Sequence, residues 1–219
     1  MIYFLGVQST YTAIEVGVFA QEKLVTCAQE DKIRASKNLI PLIAYTLDQA
    51  KIPLEKLSFI AVNQGPGPFT TLRVAIATAN GLSFASKLPL IGIDSLEAFL
   101  REHAPKKQVT LVLFNAFNND VYYALQSPGI APRTGYKNIE VLLSQIHQEM
   151  PEQSVVFLGN GTELHREKIT QLLGTHAIIP EPLATTYSIQ KLGALALERW
   201  QKKEGLSTQL TPLYLKQAL

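Results

Sequence analysis

The feature that most constrains this chain is a plan that occurs twice. Near the start, the apolar run at 2–8 ends in an amide, Gln8, and a second run at 12–19 returns with Ile14, Val16 and Val18 alternating. After Pro105-Lys106-Lys107 the plan restarts: VTLVLFN at 109–115 ends in Asn115, and DVYYALQ at 120–126 comes back. Period-two alternation between short polar turns reads as antiparallel strand pairs. Its recurrence predicts two related α/β subdomains, residues 1–104 and 105–219.

Each half continues in kind. A third strand at 23–28 precedes a helical segment from Ser36 to about residue 50, a strand LSFIAVN at 57–63, a helix over 70–86 and a short strand at 89–93. The second half offers a helical segment at 138–149, a strand at 154–159, a helix over 161–173 and a last helix at 187–203. Strand and helix alternation of this sort implies partly parallel sheets with helices packed on their faces.

Composition narrows the class. With 219 residues, 47% of them hydrophobic, folding should bury roughly 70% of the unfolded surface. Cys27 stands alone, which excludes a disulfide within the chain, and no apolar run approaches the roughly 20 residues of a membrane span. The opening MIYFLGVQS reads as a first strand rather than a basic leader, so the expectation is a cytoplasmic protein with no membrane partner. Twenty Lys plus Arg against eighteen Asp plus Glu leaves +2, too slight an excess for the electrostatic footprint of a nucleic-acid binder.

The stretch NQGPGPFTTLR at 63–73 resembles a phosphate loop at first sight. A GxxxxGK[ST] loop needs its Lys, which is missing, and a GxGxxG loop would need glycine where Thr70 stands. Pro66 and Pro68 also lack the N–H groups of an anion nest. The residues read instead as a turn: Gly65 and Gly67 permit the bend, the prolines stiffen it, Thr70 or Thr71 caps the following helix, and Arg73 lies in its first turn. His103, His147, His165 and His176 are scattered, so no metal site is expected, and no Ser sits in a GxSxG elbow.

These pieces together carry a resemblance. The run GPGPFTTLRVAIATANGLSFA followed by LPLIGIDSLEAF, with SKNLIPLI at 36–43, NAFNNDVYYAL at 115–125, GNGTEL at 159–164 and TPLYLK at 211–216, resembles the TsaB (YeaZ) family of tRNA threonylcarbamoyladenosine biosynthesis proteins. The resemblance implies two actin-like, hexokinase-like subdomains, the second degenerate. It also implies a non-catalytic subunit that supports threonylcarbamoylation of the adenosine beside the anticodon in tRNAs reading codons that start with A. The expected partners are a TsaD-type catalytic subunit and a TsaE-type ATPase, with a homodimer when alone and tRNA met only indirectly. No intrinsic cofactor is expected, ATP belonging to the complex with the catalytic partner.

This chain departs from the family's usual acids at three places: Gln8, Asn115 and Asn160 stand where Asp is usual. An amide keeps hydrogen bonding but loses the charge that holds a cation and the basicity that activates water. That weighs against the alternative reading, an actin-like ATPase or small-molecule kinase, and a glycoprotease is less favoured still. Ala35 replaces the family's usual His, and GPFTT its usual GSFTG.

With catalysis placed elsewhere, the helices over 36–50 and 70–86 are the expected partner interface. Leu39, Ile40, Leu42, Ile43 and Leu47 span a wide stripe of the first, which Pro41 interrupts early, and Leu72, Ala75, Ile76, Ala79, Leu82 and Ser83 belong to a second that is apolar nearly all round. The alternative is that both helices are satisfied within one monomer.

Overall fold

The computed structural model describes residues 1–215; Lys216, the last residue of the TPLYLK motif, lies outside the described residues. The chain forms two compact units, Met1–Ala98 with Ser188–Leu213, and Phe99–Tyr187 with Tyr214 and Leu215.

The first unit starts with a meander, β1 (Tyr3–Ser9), β2 (Ala13–Ala20) and β3 (Lys23–Asp31), followed by α1 (Ala35–Ala50), β4 (Phe59–Gly65), α2 (Phe69–Ser86) and β5 (Leu90–Asp94). Helix α3 (Ser95–His103) leads into the second meander, β6 (Val109–Asn115), β7 (Asp120–Gln126) and β8 (Arg133–Asn138). Then come α4 (Ile139–Glu149), β9 (Val155–Leu158), α5 (Asn160–Leu164), α6 (Arg166–Leu173) and β10 (Ala177–Ile178). Helix α7 (Ile189–Lys202) and the short β11 (Leu206–Ser207) close the described elements.

The duplication is explicit in the sheets. One sheet runs β11-β5-β4-β1-β2-β3 and the other β10-β9-β6-β7-β8. In each, the meander strands are antiparallel and the strand after the helix pairs in parallel with the first, β4 with β1 and β9 with β6. Strands β5 and β10 add in parallel beyond them. The predicted helix over 161–173 is divided at His165 into α5 and α6, and α3 and β8 are elements that periodicity did not disclose. Asn138 starts α4 by accepting from the Glu140 N–H at 3.0 Å, a side-chain cap of the usual kind.

Alternation along the strands builds the first core. Leu5 and Val7, Ile14, Val16 and Val18, and Ile60 and Val62 face α1 and α2, burying Leu39, Ile43, Leu72, Ala75, Ile76 and Ala79. The opposite face carries a row of rings. Phe19 stacks on Phe4 at 4.7 Å between centroids, Phe4 on Phe59 at 4.5 Å, and Phe59 on Trp200 of α7 at 4.8 Å. Stacked pairs of this sort add about 0.5–1.5 kcal/mol each beyond their buried area. Helix α7 comes this close because position 193 is glycine: a Cβ there would lie 2.4 Å from the Phe19 ring.

That row corrects the expected division at residue 104. The chain does change units near it, at Ala98, but Ser188–Leu213 returns to the first unit. Leu192, Leu195 and Ala196 are buried on one side of α7, and the Arg199 guanidinium donates to Glu97 at 2.6 Å and to the Gly92 carbonyl. The contact is distant in sequence, so strand and helix periodicity could not assign it. Among the described residues no helix is long and apolar enough to cross a membrane.

Phe4 is fully buried and stacked on both sides. Replacing it with alanine removes the middle of the row, and Phe4→Ala should lower stability by about 3–5 kcal/mol. Urea unfolding followed by the fluorescence of Trp200 reads this directly; a loss below about 1 kcal/mol would mean that the row does not hold α7.

Candidate docking surface and cleft residues

The Gly-Pro stretch opens at the end of β4. Gly65 has φ +102°, a conformation that favours glycine, whereas Gly67 does not enter the left-handed region. The bend therefore rests on Gly65. The same device recurs after β9, where Gly159 has φ +93° and a Cβ would meet the Leu113 carbonyl oxygen at 2.2 Å.

The expected threonine cap is not what starts α2. Pro68 is the N-cap, with extended backbone and no side-chain acceptor. Thr70 is exposed, and Thr71 is buried because its Oγ1 accepts from Ser9 Oγ at 2.8 Å. Asn63, the first residue of the stretch, clamps the same serine from β4. Its Oδ1 accepts from the Ser9 N–H at 2.9 Å and its Nδ2 donates to the Ser9 carbonyl at 3.0 Å. Arg73 is exposed and lays its guanidinium 3.8 Å from the centre of the Phe69 ring.

The three amides fall in different units. Gln8 belongs to the first, fully buried and directly across the β1–β2 ladder from Glu15, whose carboxyl is pushed up by burial. Asn115 and Asn160 meet in the second: Asn160 Oδ1 accepts from the Asn115 N–H at 3.2 Å, and Asn115 Oδ1 accepts from the Phe117 N–H at 2.8 Å. These bonds help shape the β6–β7 turn, where Phe117, Asn118 and Asn119 all have positive φ. Among the described residues no group of three or more His, Cys, Asp or Glu side chains is placed to hold a metal ion.

Most of the predicted contact residues face the core of their own unit. Leu39, Ile43, Leu72, Ala75, Ile76, Ala79 and Ser83 are buried, and Leu42, Leu47 and Leu82 are half-buried against the same core. Periodicity found the apolar stripes, but a helix apolar nearly all round gives no sign of which side its own sheet takes. The outer side carries large apolar side chains among exposed Lys37, Asp48 and Arg73. Ile40 is 64% exposed and Tyr45 57% on α1, with Phe69 at 56% and Phe84 at 77% on α2. Ala77 and Gly81 are also exposed between the two phenylalanines, and Ala85 just beyond them, small residues of the kind that let another helix approach closely. Asn63, Ser9 and Asn80 are the polar residues that sequence reasoning passed over. Their only signal was polarity inside an apolar strand or helix, which calls for a hydrogen-bond partner.

The architecture defines the class, a duplicated α/β protein of the actin-like kind. It superposes with a TM-score of 0.52 on a Bacteroides thetaiotaomicron protein described as having an actin-like ATPase fold and unknown function, at 7% identity over 88% of this chain and 95% of that one. A Pseudomonas aeruginosa protein described as uncharacterized, with similarity to peptidase YeaZ, matches more closely: TM-score 0.77, 22% identity, 99% of this chain and 100% of that one.

Residues 32–218 match the family described as TsaD, tRNA N6-adenosine threonylcarbamoyltransferase, and the chain belongs to that family, on its TsaB/YeaZ side. Among curated relatives, the tRNA threonylcarbamoyladenosine biosynthesis protein TsaB of Buchnera aphidicola from Schizaphis graminum is 30% identical over 121 residues, or 54% of this chain. The match spans 58% of that relative's own length.

The two sides of α2 give opposite expectations for the same substitution. Ala79 is 1% exposed, so Ala79→Arg forces an unpaired charge into the core and should cost more than about 3 kcal/mol. Thermal unfolding measures this; a midpoint unchanged from the parent would contradict the burial of that side.

Proposed function

We propose that this chain is a non-catalytic subunit in the biosynthesis of threonylcarbamoyladenosine in tRNA, and that it docks a TsaD-type catalytic subunit on the exposed sides of α1 and α2. The observation that carries the proposal is the outer stripe itself. Ile40, Tyr45, Phe69 and Phe84 are large and exposed on two helices that pack together, and apolar exposure concentrated on neighbouring elements marks interaction sites.

Family membership supplies the occupant. Because the matching family is the transferase's own, a catalytic partner has the same layered plan, and its helix pair is a fitting counterpart. Two such pairs close a four-helix bundle around a common apolar seam. A surface suited to a related subunit also suits itself about a two-fold axis, so the chain alone pairs as a homodimer. In this reading ATP and the TsaE-type ATPase belong to the assembled complex, and tRNA is engaged through the catalytic subunit. Gln8, Asn115 and Asn160 supply hydrogen-bonding amides where a catalytic relative would need carboxylates, which supports a supporting rather than a catalytic role.

Ala77 is exposed midway along the stripe, so Ala77→Arg leaves the fold intact while driving a charge into the seam. Affinity for the catalytic subunit should fall by about 100-fold or more, measured by calorimetry, with loss of tRNA modification when the variant replaces the parent in cells. Binding equal to the parent would overturn the docking reading.

A further inference from the structure

The C-terminal segment runs beside α2 on the flank away from α1. After β11 pairs antiparallel with β5, Asn80 grips the chain at Leu210. Its Nδ2 donates to the Leu210 carbonyl at 2.9 Å and its Oδ1 accepts from the Leu210 N–H at 2.9 Å. Leu210 is 6% exposed and packs into the same core as Leu72 and Ile76. Further along, Gln64 repeats the grip at the foot of the helix, its Nε2 donating to the Thr211 carbonyl at 2.9 Å and its own carbonyl accepting from the Leu213 N–H at 2.8 Å.

The strap is thus fixed at the turn that launches α2 and again near the middle of the helix. At 100° per residue, Asn80 falls between Phe69 and Arg73 at one edge of an exposed stripe that continues through Phe84 and Ala77 to Gly81, while half-buried Val74 borders its other edge. While Leu210 is buried in the core, its neighbours Gln209 and Thr211 are exposed.

We infer that residues 208–213 are a third element of the docking surface, lying alongside α1 and α2, so that a partner helix pair seated on the stripe also touches Gln209 and Thr211. The inference rests on the docking reading above and extends it to a segment far away in sequence. The occupant is the same: a homologous subunit whose helices span the stripe between its two flanks. The strap serves as a rail that limits how far those helices slide sideways, and its clamp by Asn80 keeps the rail at a fixed height.

The test sets the two claims apart. Gln209→Arg and Thr211→Arg add long cations on the outer side of the strap without touching Leu210 or the Asn80 clamp, and Ala77→Arg serves as the reference for the stripe. Each purified full chain is titrated with the cognate catalytic subunit, and its fold is checked by thermal unfolding and Trp200 fluorescence. The inference predicts at least a tenfold loss of affinity for the Gln209→Arg, Thr211→Arg double variant and a larger loss for Ala77→Arg. If Ala77→Arg loses binding while the folded double variant binds like the parent, the strap is not part of the surface and the docking reading stands. If Ala77→Arg binds like the parent, both fail.

Discussion

Leu72, Ala75, Ile76 and Ala79 bury one side of α2 against strands β1 and β4 and helix α1, and this contact decides what remains for function. A helix so apolar leaves few ways to be soluble. With its inner side taken by the sheet, one flank by α1 and the other by the strap at Asn80, a single stripe is left facing outward. Small Ala77 and Gly81 lie exposed on that stripe between Phe69 and Phe84. The Gly65 bend sets where the helix starts, and the Ser9–Thr71 and Ser9–Asn63 bonds tie its first turn to two strands.

The duplicated units show how one plan is put to different uses. Both place a positive-φ glycine at the end of the second parallel strand, Gly65 closing β4 and Gly159 just after β9, and both use an asparagine to hold the end of the first strand, Asn63 on Ser9 and Asn160 on Asn115. In the first unit the glycine launches a helix of 18 residues; in the second it launches only five residues before the chain breaks at His165. The longer helix has room for both a core side and an outer stripe.

Much of the fold was legible because strands obey a simple alternation. The run 109–115 and its return at 120–126 coincide with β6 and β7, and the duplicated plan follows from that pattern alone. The last helix was legible as a helix but not as part of the first unit, since the Phe59–Trp200 stack joins residues far apart in the chain. The site was legible only to the level of the two helices. Leu39 and Ala79 look like contact residues in sequence just as Ile40 and Ala77 do, and only the position of the sheet separates the buried from the exposed. The Thr70 and Thr71 caps failed for a related reason: Ser9, distant in sequence, takes the Thr71 hydroxyl.

The central claim is that the outward side of α1 and α2 is where this chain meets its catalytic partner. Hydroxyl-radical footprinting of the full chain, with and without that subunit, tests it most directly because Tyr45, Phe69 and Phe84 are reactive and exposed. The account predicts that these three side chains are protected in the complex while Phe117, 58% exposed in the second unit, keeps its reactivity. Protection at Phe117 with Tyr45, Phe69 and Phe84 unchanged would contradict it.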